Sequence, residues 1–273
     1  MRAELTTALS GTLVEEEYRS LARRLERVRP SRASFGEWDP ASVARVRAVW
    51  HDRMVNEYAS VTVFLQLASQ LVEANASLDH TAVVTRMAQD ELRHAEICGD
   101  VVRVLGGTPR RERETSVVAI ARHAGCSDEE RALRNVIFTT CLSEMNSVSY
   151  FVAILEQTRD EYLRSATRRL LADEVLHGRF GFAYLEAWKP WLDTRPEVRA
   201  SIGRYLRFAF AWVERELAGG ERHASPVADD EAVGLMSAEQ SRALFDATMI
   251  DAVVPGLERF GLPAEDAWKR RAL

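Results

Sequence analysis

The chain has 273 residues, of which 47% are hydrophobic and 28% charged, and its formal net charge is −5. This length and apolar content allow one large domain, or a tight pair of domains, with a substantial buried core. The arginine pairs are scattered rather than gathered into a basic stripe, so nucleic acid is not an expected partner.

Clusters of helix-breaking residues divide the chain into long segments in which apolar residues recur every three or four positions. No segment alternates as a strand does, so the sequence predicts an all-α fold. In chain order we expect a leading helix near 13–28, four long helices near 41–75, 80–105, 129–158 and 160–188, and two more near 197–218 and 237–260. The chain then consists of an N-terminal helix and strap at 1–40, a central helical part at 41–190 and C-terminal helices at 191–273, all in one domain.

Two of the long helices are apolar on nearly every side and carry one central carboxylate each. The stretch 54–71 has Glu57 as its single charge, and the stretch 135–155 has Glu144. Their several polar residues favour inner helices of a bundle over membrane spans, so we expect no membrane span. A carboxylate in such surroundings must be protonated, paired with a cation or bound to a metal ion. Only Arg53, four residues before Glu57, offers a cation at helical spacing.

A five-residue motif occurs twice, as DELRH at 90–94 and DEVLH at 173–177. In each copy the glutamate and the histidine are three positions apart and share one helical face. The successive glutamates are 34, 53 and 30 residues apart. The first and last intervals suit antiparallel helices that meet near their middles, and the middle interval leaves room for a crossover. Four carboxylates and two imidazoles facing inward form a site for two iron or manganese ions.

Residues 41–190 thus resemble the ferritin-like di-metal carboxylate proteins, in which two helices contribute one Glu each and two others Glu-x-x-His. The resemblance implies a ferritin-like four-helix bundle with additional N- and C-terminal helices. It implies that one metal ion is bound by Glu57, Glu91 and His94, and the other by Glu144, Glu174 and His177. Glu91, Glu174 or both bridge the two ions.

The same resemblance implies a second layer around the ions. Asp90 is expected to hold His177, and Asp173 to hold His94, because a metal-bound imidazole usually donates its other N–H to a carboxylate. The alternative is that both aspartates are solvated surface charges.

Within this superfamily the sequence favours a non-haem di-iron oxygenase, hydroxylase or desaturase. Cys98 stands where ribonucleotide reductase small subunits have their radical tyrosine, and Leu170 where arylamine N-oxygenases have an additional histidine. Such enzymes use O2 as co-substrate and electrons from an external donor, a ferredoxin or reductase, to hydroxylate, desaturate or N-oxygenate a small organic substrate. The alternatives are a ferroxidase or iron-handling protein, a rubrerythrin-like peroxidase without its C-x-x-C module, and a non-catalytic helical bundle.

Several further residues are expected near the ions. Ser147 stands where acyl-carrier desaturases have a threonine thought to assist proton delivery, so we predict a catalytic role; the alternative is a serine bonded to its own helix. Gly178 and Gly181 leave space for a substrate or for close helix approach. Five residues on the predicted metal-facing sides are expected to line a pocket, although core packing would account for each singly: Met87, Cys98, Cys141, Val148 and Phe151.

The cellular context is predicted from the cysteines and the N-terminal stretch. The three cysteines are odd in number and have no C-x-x-C spacing, which fits a reducing cytosol. The first twenty residues lack the basic and then apolar run of a secretory signal, so we expect a cytoplasmic protein. The additional helices suggest a lid or a dimer surface, and we expect a homodimer. The sequence leaves the choice between Fe/Fe and Mn/Fe, the electron donor and the substrate open.

Overall fold

The computed structural model describes residues 2–4, by their backbone alone, and residues 38–112, 118–218 and 233–271. The leading helix predicted near 13–28 lies outside the described residues. Within them the chain is helical apart from connecting loops and two strands, β1 (Arg2–Glu4) and β2 (Arg110–Glu112), which pair antiparallel with Ala3 opposite Arg111. The strand pair was not predicted, because a three-residue strand is too short to show an alternating pattern.

The first two helices, α1 (Pro40–Glu73) and α2 (Leu78–Val104), form the most extensive helix–helix contact of the described structure. Helix α1 begins at Pro40 because Asp39 caps it: the Asp39 carboxylate accepts a hydrogen bond from the Ser42 amide at 3.2 Å. A short turn that includes Asn75, whose φ is 54°, leads directly into α2. The two helices therefore bring their middle turns side by side.

The third long helix contains a segment with π-helical hydrogen bonding. It runs through α3 (Asp128–Val136), the π segment (Ile137–Glu144) and α4 (Met145–Gln157) without a break in the helical backbone. Its start is fixed by Ser127, whose hydroxyl accepts a hydrogen bond from the Glu130 amide at 3.3 Å. The sequence predicts this helix but not its widened turns. Glu144 is the last residue of the π segment, and such turns often occur at functional sites.

The remaining helices are α5 (Glu161–Asp193), α6 (Pro196–Val213), α7 (Ala238–Thr248), α8 (Val254–Glu258) and α9 (Ala264–Lys269). A π turn (Glu214–Ala218) ends α6, and another (Met249–Val253) joins α7 to α8. The ends predicted for the helices beyond residue 40 lie within five residues of those observed. The short α9 was not predicted.

Two hydrophobic clusters fill the interior of the described structure. One contains Phe64, Leu133 and Tyr184, and the other contains Trp50 and Val101. On each of the four long helical segments, the predicted metal-binding residues fall between the stretch that joins one cluster and the stretch that joins the other. The polar site is therefore enclosed by apolar packing at both ends.

Among the described helices, none combines the length and the apolarity that crossing a bilayer requires.

Candidate metal centre

The structure brings the six predicted ligand residues together from all four long helical segments. Ligand atoms of Glu57, Glu91, His94 and Glu174 lie within 4.8 Å of one another, and the same holds for Glu91, Glu144, Glu174 and His177. Glu91 and Glu174 belong to both groups. The set therefore forms two overlapping sites that share two carboxylates.

Both histidines point Nδ1 towards the glutamate of the opposite motif. The distance from His94 Nδ1 to Glu174 Oε1 is 3.1 Å, and that from His177 Nδ1 to Glu91 Oε1 is 3.2 Å. Glu57 Oε2 lies 3.5 Å from His94 Nδ1, and Glu144 Oε2 lies 4.0 Å from His177 Nδ1. The arrangement has approximate twofold symmetry, which follows from the repeated motif.

The other nitrogen of each ring contacts an aspartate of the opposite motif. His94 Nε2 is 3.4 Å from Asp173 Oδ2, and His177 Nε2 is 3.4 Å from Asp90 Oδ2. These are the two pairs expected from the sequence. Asp90 is fully buried and the Asp173 side chain is 22% exposed, so neither is a free surface charge. Each contact fixes the orientation of its ring and leaves Nδ1 for the centre of the site.

Two arginines that the sequence analysis missed connect these aspartates. Arg93 donates to Asp90 and, at 2.9 Å, to Asp173 Oδ2. The Arg86 guanidinium lies 3.5 Å from Asp90 and 3.8 Å from Asp173. Arg86 lies four residues before Asp90 and Arg93 three residues after it, so all three side chains share one face of α2. This spacing could have been recognised in the sequence.

The buried atoms at the centre of the site test whether it fits a metal. Glu91 Oε1, His94 Nδ1, Glu174 Oε2 and His177 Nδ1 have no hydrogen-bond partner among the described residues. Leaving buried polar atoms without partners is costly, and these four belong to residues of the two overlapping groups. Metal ions would satisfy all of them. Carboxylate oxygens with a few imidazole nitrogens are ligands that suit iron and manganese, so the residues fit such ions.

The electrostatics of the site agree with this fit. Burial opposes the charged form of His94, but its contacts with Asp173 and the surrounding glutamates outweigh burial and raise its pKa well above the usual value. Burial likewise lowers the pKa of His177, yet Asp90 and the nearby glutamates raise it to about 9. Burial and the neighbouring Glu174 raise the pKa of Glu144 well above its usual value. A concentration of negative charge that draws in protons also attracts divalent cations.

A cavity of about 250 Å³ lies against Glu57. Its walls come from α1, α4, the π turn after α6, and α7. The residues that line it are Val49, Asp52, Arg53, Asn56, Glu57, Asn146, Ser147, Tyr150, Phe151, Glu216, Leu217, Ser241 and Leu244.

This lining differs from the pocket expected from the sequence. Ser147 and Phe151 do line the cavity. Three of the other expected residues instead lie fully buried in the hydrophobic clusters: Met87, Cys98 and Cys141. Val148 is partly buried against Gly178. The side chains of these three residues pack against neighbouring helices.

Gly178 and Gly181 serve close helix approach. A Cβ at Gly181 would lie 2.2 Å from Thr140 Oγ1 and 2.4 Å from Cys141 Sγ, and a Cβ at Gly178 would lie 2.9 Å from Met145 Sδ. Helix α5 therefore contacts the π segment at a distance that only glycine permits at position 181.

A comparison with models of known protein families found no family that matches this chain. A comparison with curated proteins found no match either. The functional interpretation rests on the geometry of the site.

Proposed function

We propose that this chain is a non-haem di-iron oxygenase whose four long helical segments form a ferritin-like bundle. The observation that carries the proposal is the pair of overlapping donor groups, whose buried atoms lack partners in the described structure. Glu57, Glu91 and His94 would hold one ion, and the second would be held by Glu144, Glu174 and His177. Manganese in place of one iron is compatible with the same donors.

Two reduced iron ions in such a site supply the electrons that activate O2. For a monooxygenation, one oxygen atom enters a C–H or N–H bond of the substrate and the other leaves as water. Two electrons and two protons are consumed, and we propose that the electrons come from an external ferredoxin or reductase. Desaturation by the same site would release both oxygen atoms as water and take two of the four electrons from the substrate.

The chain's own residues supply orientation, exclusion of water and a route for protons. Asp90 and Asp173 hold the two imidazoles so that each Nδ1 faces the centre of the site, where the ions would bind. The apolar clusters on both sides of the site keep bulk water out. We propose that Ser147, which lines the cavity one helical turn after Glu144, passes protons between the cavity and the site.

The cavity favours an oxygenase over an iron-handling protein. A ferroxidase or a rubrerythrin-like peroxidase needs no space for an organic molecule, whereas this cavity lies directly against a proposed ligand, Glu57. The iron-handling alternative predicts that one chain oxidises many Fe(II) ions and assembles into a cage, which size-exclusion chromatography would detect.

The proposal is tested by metal analysis. Protein produced with iron is expected to contain about two ions per chain. Glu144→Ala and His177→Ala are expected to lower this content, because each removes a donor from a buried site. Glu156→Ala, an exposed position on the same helix as Glu144, is the matched control and should keep full loading. Full loading in both ligand variants would show that the ligand assignment is wrong.

Oxygen activation is tested separately. Mixing the Fe(II) form with O2 in a stopped-flow spectrometer is expected to give a transient visible absorption band. An Fe(II) protein that retains two ions but gives no such band and consumes no O2 would contradict the oxygenase.

A further inference from the structure

Arg53 is a buried cation without a carboxylate partner among the described residues. Its exposed fraction is 9%. The guanidinium carbon lies 4.4 Å from the centre of the Trp50 ring and 5.1 Å from that of Phe151, so aromatic faces cover much of the group. Its one hydrogen bond to a described residue joins Nη2 to Tyr150 Oη at 3.4 Å. Aromatic rings stabilise a cation only partly, so burying this charge remains costly without an anion.

Two polar atoms of residues that line the cavity lack partners among the described residues. They are Arg53 Nη1 and Ser241 Oγ, both buried. Asn56 and Asn146 line the same cavity and add amide groups. An arginine presents its N–H groups as a planar fork that matches a carboxylate, and a serine hydroxyl or an asparagine amide can donate to the same oxygens. The polar part of this cavity is thus equipped to bind an anion.

The acidic residues around the cavity do not cancel this positive charge. The Asp52 side chain is 63% exposed and that of Glu216 is 41% exposed, so water and salt screen both carboxylates. Glu216 also pairs with Arg215. Glu57, one helical turn along α1 from Arg53, faces His94 in the candidate metal centre. Arg53 is therefore the one cation among the described residues that line the cavity, and none of these carboxylates pairs with it.

We infer that this cavity binds the substrate of the proposed oxygenase, and that the substrate is a small organic carboxylic acid whose carboxylate pairs with Arg53. That the bound acid is a substrate rests on the proposed function, whereas the binding of a carboxylate rests on the cavity alone. Arg53 and Glu57 are one helical turn apart on α1, which corresponds to about 6 Å along the axis. The atom of the substrate nearest the metal centre is then separated from the carboxylate by a few bonds.

The volume of the cavity guides the choice of probe. Its volume of about 250 Å³ accommodates roughly eight non-hydrogen atoms if each atom takes about the 30 Å³ of a water molecule. Phe151, Val49 and Leu244 supply apolar wall for a hydrocarbon part. Hexanoate has this size and serves as the probe, with hexanamide and hexylamine as neutral and cationic molecules of the same skeleton.

The test is a set of calorimetric titrations of the iron-loaded protein, in the absence of an electron donor. We expect the wild-type chain to bind hexanoate at least tenfold more tightly than hexanamide or hexylamine. Arg53→Met should lose at least tenfold in affinity for hexanoate, because it removes one partner of a buried charge pair. Arg53→Lys should fall between the two, since an ammonium keeps the charge but not the fork. Arg45→Met, on the same helix away from the cavity, is the matched control.

Equal affinity for hexanoate and hexanamide, tighter binding of hexylamine, or undiminished hexanoate binding by Arg53→Met would overturn the inference. Iron content measured on every variant shows that the metal centre is intact. If hexanoate binding depends on Arg53 but the Fe(II) form does not react with O2, the oxygenase is contradicted and the anion site is supported. A chain that reacts normally with O2 but shows no preference for hexanoate would contradict the carboxylate site and leave the proposed oxygenase intact.

Discussion

At the scale of single residues, the candidate centre depends on two imidazoles whose outer nitrogens contact carboxylates. Asp90 and Asp173 contact the Nε2 atoms, and Arg93 contacts both aspartates. Burial raises the pKa of Asp173, but His94 and Arg93 outweigh burial and lower it to about 2. The orientation of the two Nδ1 atoms, which face the centre of the candidate site, is thus set by groups on the outer side of the imidazoles.

Asp90→Asn is expected to weaken metal binding about 10- to 100-fold, the usual effect of removing a carboxylate behind a ligating histidine. The amide keeps the size of the side chain but not the charge that His177 and Arg93 contact. Metal affinity is measured by competition with a chromophoric chelator. Asp100→Asn is the control, because Asp100 lies on the same helix, is half exposed and pairs with Arg103 rather than with a residue of the candidate site. A similar loss in both variants would show that the effect is not specific to the site.

The sequence predicted these residues because they recur in order. A repeated motif identified four of the six donors and the two aspartates, and a single carboxylate in each apolar helix identified the other two donors, Glu57 and Glu144. It did not identify the role of Arg53, which was noted only as a neighbour of Glu57. Aromatic residues that surround a cation come from separate helices, here Trp50 and Phe151, and their meeting depends on the packed fold.

At the scale of helices, α5, which carries the second copy of the motif, packs closely against the π segment, which ends at Glu144. Helical periodicity predicted the four long helices because their apolar residues recur over many turns. It could not reveal the π segment, since a stretch that is apolar on all sides looks the same with or without one extra residue in a turn. Gly181 of α5 faces this segment at Thr140 and Cys141.

Gly181→Ala is expected to lower the free energy of unfolding by about 1–3 kcal/mol, because the added methyl group overlaps the π segment and overpacked cores lose this much. The gain of about 1 kcal/mol that alanine brings to a helix interior does not offset the overlap. Urea unfolding followed by circular dichroism measures the change. Gly178→Ala is the comparison: its methyl group meets the flexible end of Met145, so it should cost less. Equal stability of Gly181→Ala and the wild type would contradict the close approach.

At the scale of the whole molecule, one carboxylate joins three parts of the C-terminal region: the π turn after α6, helix α7 and the residues after α9. Glu214 lies 2.6 Å from Arg271 Nε and also accepts a hydrogen bond from Arg242. Arg271 in turn lies over the Trp268 ring, 3.5 Å from its centre. The sequence predicted two C-terminal helices and their packing on the rest, but not this connection, because the three charged residues are 28 and 29 positions apart along the chain.

Glu214→Gln is expected to destabilise the protein at pH 7 by about 1 kcal/mol, the upper range for a partly exposed ion pair. The hydrogen bond from Arg271 lowers the pKa of Glu214 below its usual value. Its contribution is therefore fully present above the unfolded-state pKa near 4.5 and is lost as the pH falls through the lower folded-state pKa. Unfolding free energies of the variant and the wild type should differ at pH 7 and converge at acidic pH. Glu265→Gln, which breaks only a local pair with Lys269, is the control; a difference that persists unchanged in acid would contradict the ion pair.

Glu91 and Glu174 each belong to both donor groups of the candidate centre. Under the proposed function, the first ion to bind fixes the two carboxylates that the second ion also needs. Two ligands of the second metal site are therefore in position before that ion binds. Uptake is then cooperative: with too little iron, the population divides into empty and doubly occupied chains, and singly occupied ones are scarce. An electron-transfer partner would accordingly meet complete pairs of ions, which deliver two electrons together.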